Sequence, residues 1–89
     1  MRAGRWTALT DDVAQKVTNS LRTGATIFDG TEYAGVSRDT HYEWCRRGEE
    51  YHERLSSTPP NEFEPDPWEA RYEQYWLAVL RARAESRVR

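Results

Sequence analysis

Tyr33–Glu50, YAGVSRDTHYEWCRRGEE, decides the fold. Gly35 suits a tight turn, and Val36 is placed to lock two helices together across it. Ser37 is an N-cap residue type. Beyond it, His41, Trp44, Cys45 and Gly48 are spaced 3, 1 and 3 apart and share one helical face. Arg38, Asp39, Tyr42, Glu43 and Arg46 fall on the opposite face. The spacing predicts a helix from about Arg38 to Arg47. Gly48 then serves as a C-terminal signal, with Arg46 and Arg47 in a last turn that favours positive charge. Nothing in Glu49–Arg54 forbids continuation, so both endings stay open.

Upstream, Thr10 is a cap type, and Asp11 and Asp12 suit the positive end of a helix dipole. Val13, Val17 and Leu21, with Ala14 beside them, make one apolar face, and Gly24 can end the helix. Thr26 can cap a short second helix from about Ile27 to Ala34. Its inner face is Ile27, Thr31 and Ala34, with Phe28 near it. Gly30 weakens that helix by about 1 kcal/mol relative to Ala, so packing must support it.

Downstream, Ser56–Pro67 reads SSTPPNEFEPDP and holds all four prolines. It has no period, and Phe63 is its single large apolar residue, placed to pin it down. Asp66 can cap a last helix, with Pro67 at its first position and Glu69 closing a capping box. Trp68, Tyr72, Tyr75, Trp76 and Val79 stripe that helix, and Leu80 broadens the stripe. Trp68 and Tyr72 are expected to pack within the chain. Trp76, Val79 and Leu80 are assigned to self-association, because aromatic residues are enriched at interfaces. The expected fold is all-α: a basic arm (1–9), a three-helix helix-turn-helix unit (10–54), a proline-rich linker (55–66) and a long C-terminal helix (67–89). Trp6 in the arm is a candidate to dock on the core.

At 89 residues with 37% hydrophobic content, the chain is one small domain with a thin core. Four Trp and five Tyr must carry much of it. Such a chain often gains stability from a partner or from self-association. The single cysteine, Cys45, excludes an internal disulfide and fits a reducing compartment. No apolar run suits a membrane span, so the expected location is cytoplasmic. The net charge of −2 hides a gradient: +1 over residues 1–47, −5 over 48–66 and +2 over 67–89.

Catalytic and metal chemistry find little footing. His41, Cys45 and His52 lack the spacing of a zinc set, and no CxxC is present. Cys45 has His41 one turn away, but both point inward, which suits a core residue better than a nucleophile. The acids Glu49, Glu50, Glu53, Glu62, Glu64 and Asp66 lie in or beside a proline-rich setting that fits a solvated linker. There is no Gly-rich phosphate loop. No catalytic residue, metal or cofactor is expected.

The outer face of the third helix carries residue types that read base edges. Arg bridges guanine O6 and N7, and carboxylates accept from cytosine N4. The candidate DNA contacts are Ser37, Arg38, Asp39, Tyr42, Glu43 and Arg46. Arg2, Arg5, Lys16 and Arg47 are candidates for phosphates or a minor groove. Asp39 and Glu43 also repel phosphates, and a mixed-charge face equally serves as solvated surface.

The stretch YAGVSRDTHYEWCRRGEE resembles the helix-turn-helix of tailed-phage terminase small subunits, which commonly show an Ala-Gly-Ile/Val-Ser turn, then Thr, aromatics, a Trp and a basic pair followed by Gly-Glu. LTDDVAQKVTNSLRTGAT (Leu9–Thr26) is similar to their first helix and turn, and YEQYWLAVLRARAESRVR (Tyr72–Arg89) to their later helix. His41 and Cys45 stand where bulkier apolar residues are usual, and Thr31 replaces the customary Ala. The resemblance implies a non-catalytic role in viral genome packaging within the host cytoplasm. The subunit recognises double-stranded DNA, forms a homo-oligomer such as a ring, and presents DNA to a large ATPase/nuclease subunit. Similar helix-turn-helix units occur in small transcriptional regulators and recombination accessory factors. A protein-interaction adaptor is the reading from another class.

Overall fold

A computed structural model describes residues 9–88. Arg2, Arg5 and Trp6 lie outside these residues. The described chain forms four helices and no strand: α1 (Asp11–Arg22), α2 (Ile27–Ala34), α3 (Arg38–Ser57) and α4 (Pro67–Arg87). None is long and apolar enough to cross a membrane.

Local signals set the boundaries of α1 and α2. The Thr10 hydroxyl accepts the Val13 amide at 3.2 Å, and Asp11 and Asp12 fill the first turn of α1. Gly24 follows the last turn at φ 102°. The Thr26 hydroxyl caps α2 by accepting the Asp29 amide at 3.1 Å. Gly35 ends α2 at φ 80°, a left-handed conformation that costs a residue with a Cβ about 1–2 kcal/mol. The connection to α3 is thus three residues, Gly35–Ser37, and Ser37 Oγ accepts the Thr40 amide at 3.1 Å.

α3 departs from the short alternative. It runs ten residues past Arg47, and Gly48 sits in its middle. There the backbone of α4 crosses against it. A Cβ on Gly48 would fall inside the Tyr72 carbonyl group and 2.9 Å from Trp76 Cβ. Gly48 therefore serves a close helix crossing rather than a helix end. Residues 55–57, expected in the linker, belong to this helix.

The linker after Thr58 turns on Pro59, whose carbonyl accepts the Glu62 and Phe63 amides. Phe63 lies edge-on to Tyr51 with ring centroids 5.5 Å apart. Asp66 caps α4 by accepting the Trp68 and Glu69 amides, with Pro67 in the first turn. The expected capping box does not close. The Glu69 carboxylate goes to Arg47, and the Asp66 amide donates instead to the Tyr51 hydroxyl at 3.2 Å.

The core joins Leu9, Val17 and Leu21 to Trp44 of α3 and to Tyr72, Tyr75, Val79 and Ala82 of α4. α4 packs against both α1 and α3, while α2 leans mainly on α1. Half of these core residues thus come from α4, across the proline-rich linker from the rest. Trp68 does not join them. It stands at the first turn of α4, 59% exposed.

Candidate nucleic-acid interface

Two turns of α3 present the outer row. Arg38, Asp39, Tyr42, Glu43 and Arg46 are exposed, while His41, Trp44 and Gly48 are buried and Cys45 is half-buried. The face division read from the spacing therefore holds at each of these positions. Ser37 is exposed, but its hydroxyl is already engaged: it accepts the Thr40 amide and donates to Thr40 Oγ1 at 2.9 Å.

The basic groups in or beside this row are mostly committed. Arg46 lies between two acids, 2.6 Å from Glu43 and 2.7 Å from Glu50. Its hydrogen bond holds the Glu43 carboxyl below the usual carboxylate range. Arg47 is 2.6 Å from Glu69, and its guanidinium lies 4.6 Å from the centre of the Tyr72 ring. Lys16 pairs with Asp12 at 3.2 Å and lies 6.0 Å from the Tyr33 ring centre. Arg38 differs. Among the described residues it makes no ion pair, and it lies 5.1 Å from the centre of the Phe28 ring. Beside it, Phe28, Thr31, Glu32, Val36, Ser37, Arg38 and Asp39 line an open groove of about 270 Å³ between α2 and the start of α3.

Electrostatically the row is not a positive patch. Arg38 and Arg46 are balanced by Asp39, Glu43 and Glu50, which leaves one net negative charge. What it offers chemically is a planar donor fork at Arg38 on an aromatic face, the Tyr42 hydroxyl, and a carboxylate–guanidinium chain along α3.

Behind the row lie His41 and Cys45, which the spacing placed inward without showing their partner, Tyr75. His41 is 1% exposed and its Nδ1 is 2.7 Å from the Tyr75 hydroxyl. Its Nε2 is 3.8 Å from Cys45 Sγ. Burial, aided by Arg83, lowers the His41 pKa, so the ring is neutral. Burial likewise raises the Tyr75 phenol. A neutral ring carries one N–H and one acceptor nitrogen, and the Tyr75 hydroxyl and the Cys45 thiol, each able to donate or accept, face the two. Burial pushes the Cys45 thiol up to about 11, which keeps it protonated at neutral pH. No group of three His, Cys, Asp or Glu side chains among the described residues is gathered to hold a metal.

The three residues assigned to self-association separate. Leu80 is exposed, at 47%. Trp76 is half-buried, its ring 5.4 Å from His52, which itself is 2.8 Å from Glu73. Val79 is 4% exposed and belongs to the chain's own core, so its assignment to an interface is corrected. It turns inward because it is one turn on from Tyr75 on the same face of α4. Arg2 and Arg5 lie outside the described residues. No family model, curated protein or solved structure matches the chain.

Proposed function

We propose that the chain binds double-stranded DNA through the N-terminal half of α3, as a non-catalytic small terminase subunit that presents viral DNA to a large ATPase/nuclease subunit. The observation that carries the DNA reading is the three-residue turn at Gly35. It joins α2 to a Ser37-capped α3 whose exposed face begins with an aromatic-backed Arg38 that makes no ion pair among the described residues. This is the connection by which a helix-turn-helix offers its second helix to a major groove. The packaging role rests on the resemblance of Tyr33–Glu50 and its flanks to small terminase subunits. A homo-oligomer is part of the same reading.

Arg38 and Tyr42 are the principal base-edge candidates. Arg46 serves only by exchanging Glu43 or Glu50 for a phosphate or a base. The test is fluorescence anisotropy on a duplex from the protein's own genomic neighbourhood across a salt series. Wild type binds with a negative salt slope, and Arg38→Ala weakens binding by about 1–3 kcal/mol and relaxes base preference, while adding Arg46→Ala lowers the slope by up to about one unit. Glu43→Gln with Glu50→Gln frees Arg46 and tightens binding. Absence of binding at low salt overturns direct DNA recognition.

A protein-interaction adaptor is the second reading. The pairs Arg46–Glu43, Arg46–Glu50, Arg47–Glu69 and Lys16–Asp12 favour it, because each neutralises a cation that a phosphate would need. An adaptor binds without the salt-dependent DNA affinity.

A further inference from the structure

Exposed patches of opposite charge stand at the two ends of α4. Before its start, Glu62, Glu64 and Asp66 alternate with Phe63 and Pro65 in the strap that leads into the helix. Phe63 turns in onto Tyr51, and the three acids are exposed. Trp68 follows them, its side chain also exposed. At the far end, Leu80, Arg81, Arg83, Ala84, Arg87 and Val88 fall in one sector of the helix, and every one is exposed. Val79 and Ala82 are buried on the other side.

These charges have no counter-ion among the described residues. The cations of the ion pairs there are Lys16, Arg22, Arg46, Arg47 and His52, and the acids are Asp12, Glu43, Glu50, Glu69, Glu73 and Glu85. Near the strap, Arg54 lies on the Tyr51 ring and Arg47 on the Tyr72 ring. Glu85, the acid within the basic end, is held by Arg22. Nor can the two patches meet inside one chain. Phe63 and the Asp66 amide fix the strap at Tyr51, and α4 rises about 21 Å between Pro67 and Arg81. Between chains their lengths are comparable. Glu62 to Asp66 spans at most about 14 Å, and Arg81 to Arg87 rises about 9 Å.

We propose that the acidic strap and Trp68 of one copy dock on the exposed basic sector at the end of α4 in a second copy. Glu62, Glu64 and Asp66 meet the arginines, whose planar forks take a carboxylate on two parallel N–H donors. Trp68 covers the partner's Leu80 and Val88 between them, the kind of aromatic contact enriched at interfaces. The contact joins unlike patches, and each copy carries both. The inference rests on the homo-oligomer part of the function proposed above and is independent of DNA recognition.

The test is sedimentation velocity of the full chain at low salt, with circular dichroism as the fold control. Wild type at high micromolar concentration sediments above the monomer and dissociates as salt rises, because exposed charge pairs are screened. Glu62→Lys with Glu64→Lys gives a monomer, and so does Arg81→Glu with Arg87→Glu. An equimolar mixture of these two chains associates again, since each offers the sign that the other lacks. A chain with all four reversed associates by itself. An oligomer that ignores the reversals overturns this contact and leaves the homo-oligomer reading standing. A mixture that stays monomeric also overturns it. A monomeric wild type overturns both, and if Arg81→Glu with Arg87→Glu then weakens duplex binding, the arginines serve phosphates instead.

Discussion

His41 is the residue whose environment sequence could place but not describe. Its spacing from Trp44 put it on the inner face, yet its partner is Tyr75, 34 positions away on another helix. Long-range pairing of this kind leaves no local signal. Its chemistry has a consequence for stability. Burial lowers the folded-state pKa below the unfolded value, so the unfolded chain binds more protons as the pH falls through about 6.5. The stability from a neutral His41 is fully present above that value and is lost as the pH drops toward the lowered one. Chemical denaturation between about pH 7.5 and 5 is expected to show falling stability. His41→Gln keeps a hydrogen-bonding partner for Tyr75 and cannot titrate, so it flattens that dependence. An equal slope in the variant places the proton uptake elsewhere. The ion pairs of the outer row are a more local case. Glu43, Arg46 and Glu50 stand at helical intervals of 3 and 4, but the pair with Glu50 forms only because α3 continues past Gly48, the ending that the spacing left open.

Among the elements, α1 and α2 follow their caps closely because Thr10, Thr26 and Gly35 act on neighbouring amides and carbonyls. The ends of α3 divide. Ser37 sets its start locally, whereas its passage through Gly48 depends on α4, which lies across the linker. A glycine that ends a helix and a glycine that admits a crossing helix look alike in sequence. Substitution separates them. At Gly48 an added Cβ meets the Tyr72 carbonyl, which is backbone and cannot swing away. Overpacking of this kind costs about 1–3 kcal/mol or more, against about 1 kcal/mol gained in helix propensity. Gly48→Ala is expected to lower the melting temperature by roughly 10 °C if the net loss is near 2 kcal/mol. Gly30 is buried too, but a Cβ there meets Leu21, Ser20 and Val17 at 3.6 to 3.7 Å, an ordinary contact. Gly30→Ala is expected to raise stability by up to about 1 kcal/mol. Thermal unfolding followed by circular dichroism checks both, and equal effects at the two positions would contradict the crossing geometry.

For the molecule as a whole, the composition pointed to a thin core leaning on aromatics, and this one sets Trp44, Tyr72 and Tyr75 among the smaller aliphatics Leu9, Val17, Leu21, Val79 and Ala82. The sequence suggested a helix-turn-helix unit followed by an accessory helix. The packing joins them, because α4 supplies Tyr72, Tyr75, Val79 and Ala82 to a core that the first three helices cannot close. A chain ending at Asp66 is therefore expected to lose most of its helical signal and its cooperative unfolding. A truncated chain that melts cooperatively would show that residues 9–66 fold alone.

The crossing at Gly48 has a mechanical side. α3 extends about 15 Å to either side of it, and backbone touches backbone there with no side chain between. The arrangement is a lever of nearly equal arms on a hard fulcrum. One arm ends at Arg38, where the exposed outer row begins. The other ends at Ser57, where the linker anchored by Tyr51 and Phe63 leads back to α4. Any tilt of α3 about that point carries its two ends in opposite directions. Such a tilt is resisted on both arms, by His41 against Tyr75 on one and by His52 against Glu73 on the other.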